Sequence, residues 1–217
     1  MSRGSMSALK TKRLAVVSLL SALAILMSLL KLEVPYPPLP YLRFDLAEIP
    51  SAVALLLCDL RTGLLVATVH FAALMMRGEF APIGPLMKYA AVVSTIVGYA
   101  APARARKWVR LAASAALRTL CMALANYLVL AAVAPELLSV ASAALRSVVP
   151  LPRGGDLAWV LAFTSVYNAL HALLTVSVAD LVVNRLRRGT SEPPRVSAAS
   201  REPPSTSPPP CPAPSAP

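Results

Sequence analysis

The sequence predicts an all-α membrane protein: a bundle of six transmembrane helices, both termini inside, followed by a disordered Pro-rich C-terminal tail. Three observations carry that prediction. Of the 217 residues, 57% are hydrophobic and only 14% charged, whereas a soluble domain averages about 45–50% and about 25%. The mean hydropathy is +0.64. Yet the formal net charge is +11, from 21 Lys and Arg against 10 Asp and Glu, which has to be reconciled with so oily a chain. A soluble nucleic-acid binder would carry such charge on a polar chain. Disorder of the whole chain fails on hydrophobicity. The three cysteines, Cys58, Cys121 and Cys211, are odd in number and scattered, so no disulfide framework is expected.

The six spans run in order along the chain. A transmembrane helix needs roughly 20 largely apolar residues to cross a core ~30 Å thick. Leu14–Leu30 is uncharged and flanked by Lys10, Lys12, Arg13 and Lys31. Its Ala22-Leu23-Ala24 resembles a cleavage site, but its apolar run exceeds the usual ~7–15 residues of a signal-peptide core, so it reads as a retained span. Leu46–Cys58 is short, with Glu48 and Pro50 at its mouth, and Thr62–Met76 comes after only Asp59–Arg61. These two read as a tight helical hairpin; excluding both would leave a long apolar stretch with no aqueous place to go. Leu86–Ala101, Leu111–Ala134 and Leu157–Val183 complete the set. The chain therefore divides into a cytoplasmic N-terminus (1–13), a membrane domain (14–188) and a disordered cytoplasmic tail (189–217).

Loop charges set the orientation. With the N-terminus inside, the inner segments collect 14 Lys and Arg, at 3, 10, 12, 13, 61, 104, 106, 107, 110, 185, 187, 188, 195 and 201. The outer segments hold 5, namely Lys31, Arg43, Arg77, Arg146 and Arg153, while Lys88 and Arg118 fall inside spans. The positive-inside rule is obeyed. Much of the basic charge is thus a topology signal, with some attraction to anionic lipid.

Polar residues inside spans are functional candidates, because an ionised group at a helix centre costs ~2.5–3.5 kcal/mol on insertion scales. Asp45-x-x-Glu48 reads either as a capping box or as a pair of acceptors for a ligand's hydroxyl or imide N–H groups at the outer mouth. Arg118, two turns into its span, reads as snorkelling to the inner interface on its long stem. Asp180 is expected to pair with Arg185 or with Lys or Arg of the preceding loop, and His70 reads as a packing histidine. Asn168 and His171 stand at i and i+3, so they share a helix face, with Tyr167 beside them. Asn126-Tyr127 falls at a similar depth on the fifth span. Such a constellation is either interhelical glue or a site for a neutral, planar, hydrogen-bonding solute. There is no H-E-x-x-H, G-x-S-x-G or P-loop, so neither an enzyme, a metal centre nor a cofactor is expected. A self-sufficient transporter would usually show duplicated halves, and no internal repeat is visible.

At these residues the chain resembles a known family. Pro40-Tyr-Leu-Arg-Phe-Asp45-Leu-Ala-Glu48-Ile-Pro50 resembles the outer-loop-to-second-helix signature of riboflavin-type S components, the substrate-binding subunits of energy-coupling factor (ECF) vitamin transporters. Leu120–Leu130 with Asn126-Tyr127 resembles their fifth-helix Asn-Tyr segment, and Tyr167-Asn168-Ala-Leu-His171 their sixth-helix Phe/Tyr-Asn-x-x-Lys motif. The resemblance covers roughly residues 12–188. It implies capture of riboflavin, as transported ligand, from outside a multi-pass cell-membrane subunit, with Asp45, Glu48, Lys88, Asn126, Tyr127, Asn168 and His171 at the substrate. It also implies a lid over Glu33–Arg43 with Tyr36 and Tyr41. Partners would be a transmembrane coupling subunit and two cytoplasmic ATPases, with docking on small residues spaced by four, here Ser18/Ala22 and Ala24/Ser28. Two departures open the substrate to another heterocyclic vitamin or precursor. His171 stands where the motif has Lys, and the segment Ala81–Tyr89 keeps Gly84 but lacks the family's acidic and amide residues, with Lys88 available as a substitute cation.

Overall fold

A computed structural model describes residues 3–77, 81–150, 152 and 154–191. In chain order these form α1 (Arg3–Leu29), a β-hairpin of β1 (Glu33–Tyr36) and β2 (Leu39–Asp45), a 3-10 turn (Leu46–Glu48) leading into α2 (Ile49–Leu57), α3 (Leu60–Arg77), α4 (Ile83–Ala100), α5 (Lys107–Leu128) with a π turn (Val129–Val133), α6 (Glu136–Val148) and α7 (Asp156–Ser191).

The Pro- and Tyr-rich segment after α1 is not an irregular loop. Lys31 takes a left-handed φ of 51°, which reverses the chain. Glu33 then pairs with Asp45, Val34 with Phe44 and Pro35 with Arg43, before a register shift at Tyr36. Asp45 ends the ribbon and caps the 3-10 turn, its Oδ1 accepting from the Ala47 N–H at 2.7 Å. Only half of the anticipated capping box forms, because Glu48 turns away to a different partner. Pro50 sits in the first turn of α2, where its missing N–H costs nothing.

Between α2 and α3 the chain reverses over Cys58 and Asp59, and Asp59 Oδ1 accepts from Thr62 N at 2.9 Å and Thr62 Oγ1 at 2.8 Å. Two glycines allow close helix approach. A Cβ on Gly63 would lie 3.0 Å from the Ser51 carbonyl oxygen of α2, and one on Gly98 would lie 2.8 Å from the Ala113 carbonyl oxygen of α5. At Gly98 a side chain would force the α5 backbone to shift, and at Gly63 it would press tightly on the α2 backbone.

By length and composition four helical stretches can cross a bilayer, Thr11–Leu29, Ile83–Ala100, Lys107–Val133 and Asp156–Gly189, while Leu46–Leu57 and Leu60–Met76 are shorter apolar helices. Their outward faces are apolar: Leu19, Leu120 and Leu124 are all more than half exposed, as lipid contact requires. Helix α6 is an addition to the six expected spans, in a stretch expected to be loop. It turns Ala141, Ser142 and Leu145 inward and leaves Leu137, Val140 and Val148 exposed. Helix α7 continues past the expected end of the last span to Ser191, taking in the first residues of the anticipated tail; the tail from residue 192 lies outside the described residues.

One apolar cluster joins α1, α2, α3 and α7 through Leu20, Val53, Val66 and Val183. A second, with Tyr36, Leu39, Leu145, Val160 and Tyr167, lies beneath the β-hairpin. At the far end Asp59 pairs with Arg13, and Lys107 with Asp180 at 2.7 Å. The densest polar chemistry lies toward the opposite, hairpin end.

Candidate functional site

A cavity of about 370 Å3 opens where the β-hairpin meets α4, α5 and α7. The hairpin contributes Glu33, Tyr41, Arg43 and Asp45; α4 contributes Gly84, Met87 and Lys88; α5 contributes Arg118, Met122 and Asn126; α7 contributes Thr164, Tyr167 and Asn168, and Glu48 adds a carboxylate from the 3-10 turn. The volume lies in the range of small-molecule sites, about 300–1,000 Å3.

Arg118 is the centre of the polar lining, and here the structure overturns the expectation of a snorkelling side chain. It is 2% exposed. Its Nη1 donates to Glu48 Oε2 at 2.6 Å and to Thr95 Oγ1 at 3.1 Å, and its Nη2 donates to Glu48 Oε1 at 3.3 Å and to His171 Nδ1 at 2.9 Å. The Nε donates to Asn168 Oδ1 at 3.2 Å. A guanidinium has five N–H groups and no acceptor; every one of them is used. The residue does not reach for water because the bundle supplies a complete set of partners, including an opposite charge. Burying two ions is costly unless their hydrogen bonds are all made, and that condition is met. The residue types hold a clue: Glu48 and Arg118, opposite in sign, both fall within apolar spans.

The remaining predicted residues divide. Asn168, 2% exposed, lines the cavity and donates from Nδ2 to the Thr164 carbonyl at 2.9 Å. Asn126 lines the cavity, its Nδ2 donating to the Met122 carbonyl at 2.7 Å. Lys88 forms an ion pair with Asp45, so the cavity brings both together. His171 sits behind the lining, with Nε2 3.3 Å from the Asp45 carbonyl oxygen and 3.7 Å from Glu48 Oε2. Tyr127 is not part of the lining and is half-exposed on α5. Its neighbour Asn126 faces inward, and adjacent helical positions diverge by about 100°.

The two hairpin tyrosines also part company. Tyr41 lines the opening, whereas Tyr36 is buried with its ring 5.6 Å from that of Tyr167. Phe44 lies 5.0 Å from Tyr167 and 5.5 Å from His171. The Tyr167 hydroxyl donates to the Arg43 carbonyl at 2.5 Å. The hairpin is thus held to α7 by aromatic packing and by two bonds to its main-chain carbonyls, from Tyr167 to Arg43 and from His171 to Asp45. Between its two strands Arg43 pairs with Glu33 at 3.1 Å.

The small residues of α1 do not form one docking face. Ser18 and Ala22 are exposed, but Ala24 and Ser28 are buried, and Ser28 Oγ lies 2.9 Å from Nε2 of the buried His70. Spacing by four is common to both pairs, but they lie on different sides of the helix, so Ala24 and Ser28 are not available to an outside subunit.

Residues 12–183 match the family described as ECF transporter, substrate-specific component. Over 88 residues the chain is 31% identical to the riboflavin transporter RibU of Staphylococcus aureus (strain TCH60), a match covering 41% of this chain and 46% of that protein. The fold is similar to that of a solved S component of a bacterial ECF transporter, with a TM-score of 0.67 at 22% identity, over 84% of this chain and 99% of the other. With the family match running through the helices that build the cavity, the chain belongs to the ECF transporter substrate-specific components, and is a substrate-binding membrane subunit of a transporter, not an enzyme.

Proposed function

We propose that this subunit binds riboflavin or a close flavin relative in the cavity beneath the β-hairpin, from outside the cell, and passes it inward. In this reading six segments cross the cell membrane, with both termini in the cytoplasm, as the distribution of Lys and Arg among the loops favours. Delivery depends on a transmembrane coupling subunit and two cytoplasmic ATPases, since the sequence carries no nucleotide-binding motif of its own. Ser18 and Ala22, exposed on α1, supply the close-approach surface for the coupling subunit.

The observation that carries the substrate reading is the cavity itself. It is a site of about 370 Å3 in an otherwise apolar bundle, where Asn126, Asn168, Lys88 and Asp45 offer amide and charged hydrogen-bonding groups. A planar heterocycle with a polyhydroxylated side chain uses both features, flat apolar faces and many edge hydrogen bonds. The partial match to a riboflavin transporter supports the same choice.

Purification in detergent followed by absorption spectroscopy tests it. A co-purifying flavin spectrum, and saturable quenching of flavin fluorescence when riboflavin is titrated into stripped protein, are the expected results. Protein that is colourless and leaves flavin fluorescence unchanged rules out riboflavin and its close relatives as the substrate.

A further inference from the structure

The hydrogen bonds around the cavity have directions as well as lengths, and one side chain sets them. Arg118 can only donate. The atom of Asn168 that faces its Nε at 3.2 Å is therefore the carbonyl Oδ1, and the atom that faces the Thr164 carbonyl oxygen at 2.9 Å is the amide Nδ2. Both neighbours demand the same orientation, so the amide cannot be flipped. The same reasoning applies to His171. Its Nδ1 receives the Arg118 Nη2 hydrogen at 2.9 Å and so carries no proton. The ring hydrogen must then be on Nε2, which lies 3.3 Å from an acceptor, the Asp45 carbonyl oxygen. The Tyr167 hydroxyl, 3.1 Å from Nδ1, has already given its one hydrogen to the Arg43 carbonyl. The orientations of the amide and the imidazole both trace back to the guanidinium.

We propose that Arg118 is a positioning residue for substrate recognition: by holding the Asn168 amide and the His171 ring each in one orientation, it leaves an Asn168 Nδ2 hydrogen for a hydrogen-bond acceptor on the ligand. The recognised edge of the substrate then carries a carbonyl oxygen or an unprotonated ring nitrogen opposite Asn168. Arg118 acts through its neighbours. Its own five donors are all engaged within the protein, on the turn before α2, on α4 and on α7, so it has none left for the ligand.

The experiment has two arms, of which only the second rests on the riboflavin reading. First, the ligand-free full chain is labelled with 15N-histidine; it has 2 histidines, and His70→Gln assigns the other signal. The wild type is expected to show His171 protonated at Nε2 and bare at Nδ1, and R118M/E48Q to lose that single form. The double variant removes both charges, so neither is left buried alone. Should it fail to fold, R118K, with three donors for five acceptors, is read in the same way. A proton on Nδ1 in the wild type, or an unchanged ring in the variants, overturns the proposal.

Second, riboflavin affinity is measured for the wild type, R118M/E48Q, N168L and the combination. The expected loss in R118M/E48Q is about tenfold or more, with N168L adding little to it, because an amide without its orienting partner has already lost its selectivity. Independent, multiplying losses overturn the proposal. A wild type that binds no flavin overturns the transport reading instead, and the nitrogen signals then decide the role of Arg118 without it.

Discussion

The bundle has an ionic region at each end, built from the same residue types and put to different uses. On the hairpin side Arg118 and Glu48 are 2% and 3% exposed, whereas at the other end Arg13 and Asp59 are 45% and 38% exposed, and Lys107 and Asp180 51% and 22%. The exposed pairs sit in or near water or headgroups, where screening leaves each worth roughly 0–1 kcal/mol. They join neighbouring helices without requiring a unique geometry. The buried pair has no such tolerance. Its two charges are acceptable only because five donors and their acceptors are matched, and that matching fixes the positions of four segments at once. One region fastens the bundle; the other specifies how a cavity wall is arranged.

The sharpest test of that difference removes one member of each pair. Glu48→Ala leaves a guanidinium buried without its counter-ion and is expected to destabilise the protein by about 3–5 kcal/mol. R118M/E48Q, which removes both charges, is expected to cost clearly less. Thermal unfolding in detergent measures both. If Glu48→Ala proves no worse than a substitution at Asp59, burial does not distinguish the two ends. A smaller effect is expected at the cavity surface. Asn168→Leu keeps the bulk but removes both polar groups. On the proposed reading it leaves an acceptor of riboflavin unpaired, weakening binding by about 1–3 kcal/mol. It also strips the buried Arg118 Nε of its acceptor, so the unfolding temperature should fall as well. Titration of flavin fluorescence reads the first and a melting curve the second.

How far the sequence reveals these two regions depends on how far apart their parts lie. The far end is legible in part: Asp59–Arg61 between two apolar runs already marks a tight turn, whereas Asp180 finds its partner in Lys107, 73 positions away. Asn168 and His171 are legible as neighbours because a helix puts i and i+3 on one face. The pairing of Glu48 with Arg118 is not, because 70 positions separate them and each alone is explained by a local device, a cap or a snorkel. The β-hairpin is hidden by its prolines, which suggest a loop, although Pro35 is accommodated in a ribbon whose partners are all local. Helix α6 is short, and Ala and Ser dilute its apolar period. For α1, spacing by four identifies close approach without saying which side is already occupied, and Ala24 and Ser28 turn out to meet the bundle itself.

Between the extremes lies the attachment of the hairpin to the buried knot. Tyr167→Phe removes the hydroxyl that donates to the Arg43 carbonyl and leaves the ring packing with Phe44 and Tyr36 intact. The loss of one partly buried hydrogen bond is expected to weaken closure by about 0.5–1.5 kcal/mol. Since the bond holds the hairpin over the cavity, faster flavin release is expected, with association little changed. Stopped-flow dissociation measures it. An unchanged off-rate would mean that aromatic packing and the bond from His171 to the Asp45 carbonyl keep the hairpin down without the Tyr167 hydroxyl.

The smallest effect is expected at Asp59, where pH gives the sign. Its carboxyl is held below the ordinary aspartate value of 3.8, first by the Thr62 backbone N–H, with the Thr62 hydroxyl and Arg13 adding to it and partial desolvation opposing. A carboxyl with a depressed folded-state pKa contributes stability that is fully present above its unfolded value and is lost as pH falls through the folded one. Its contribution should therefore be complete at neutral pH and disappear only below about pH 4. With the side chain 38% exposed, solvent screening keeps the ionic share under about 1 kcal/mol. Asp59→Asn keeps an acceptor for the Thr62 N–H and loses the charge, so it separates the two contributions. Melting temperature at pH 7 should fall slightly, and the gap to wild type should close on acidification. A gap that persists in acid would assign the loss to the cap geometry, and the far end of the bundle would then depend on directional bonds as the cavity end does.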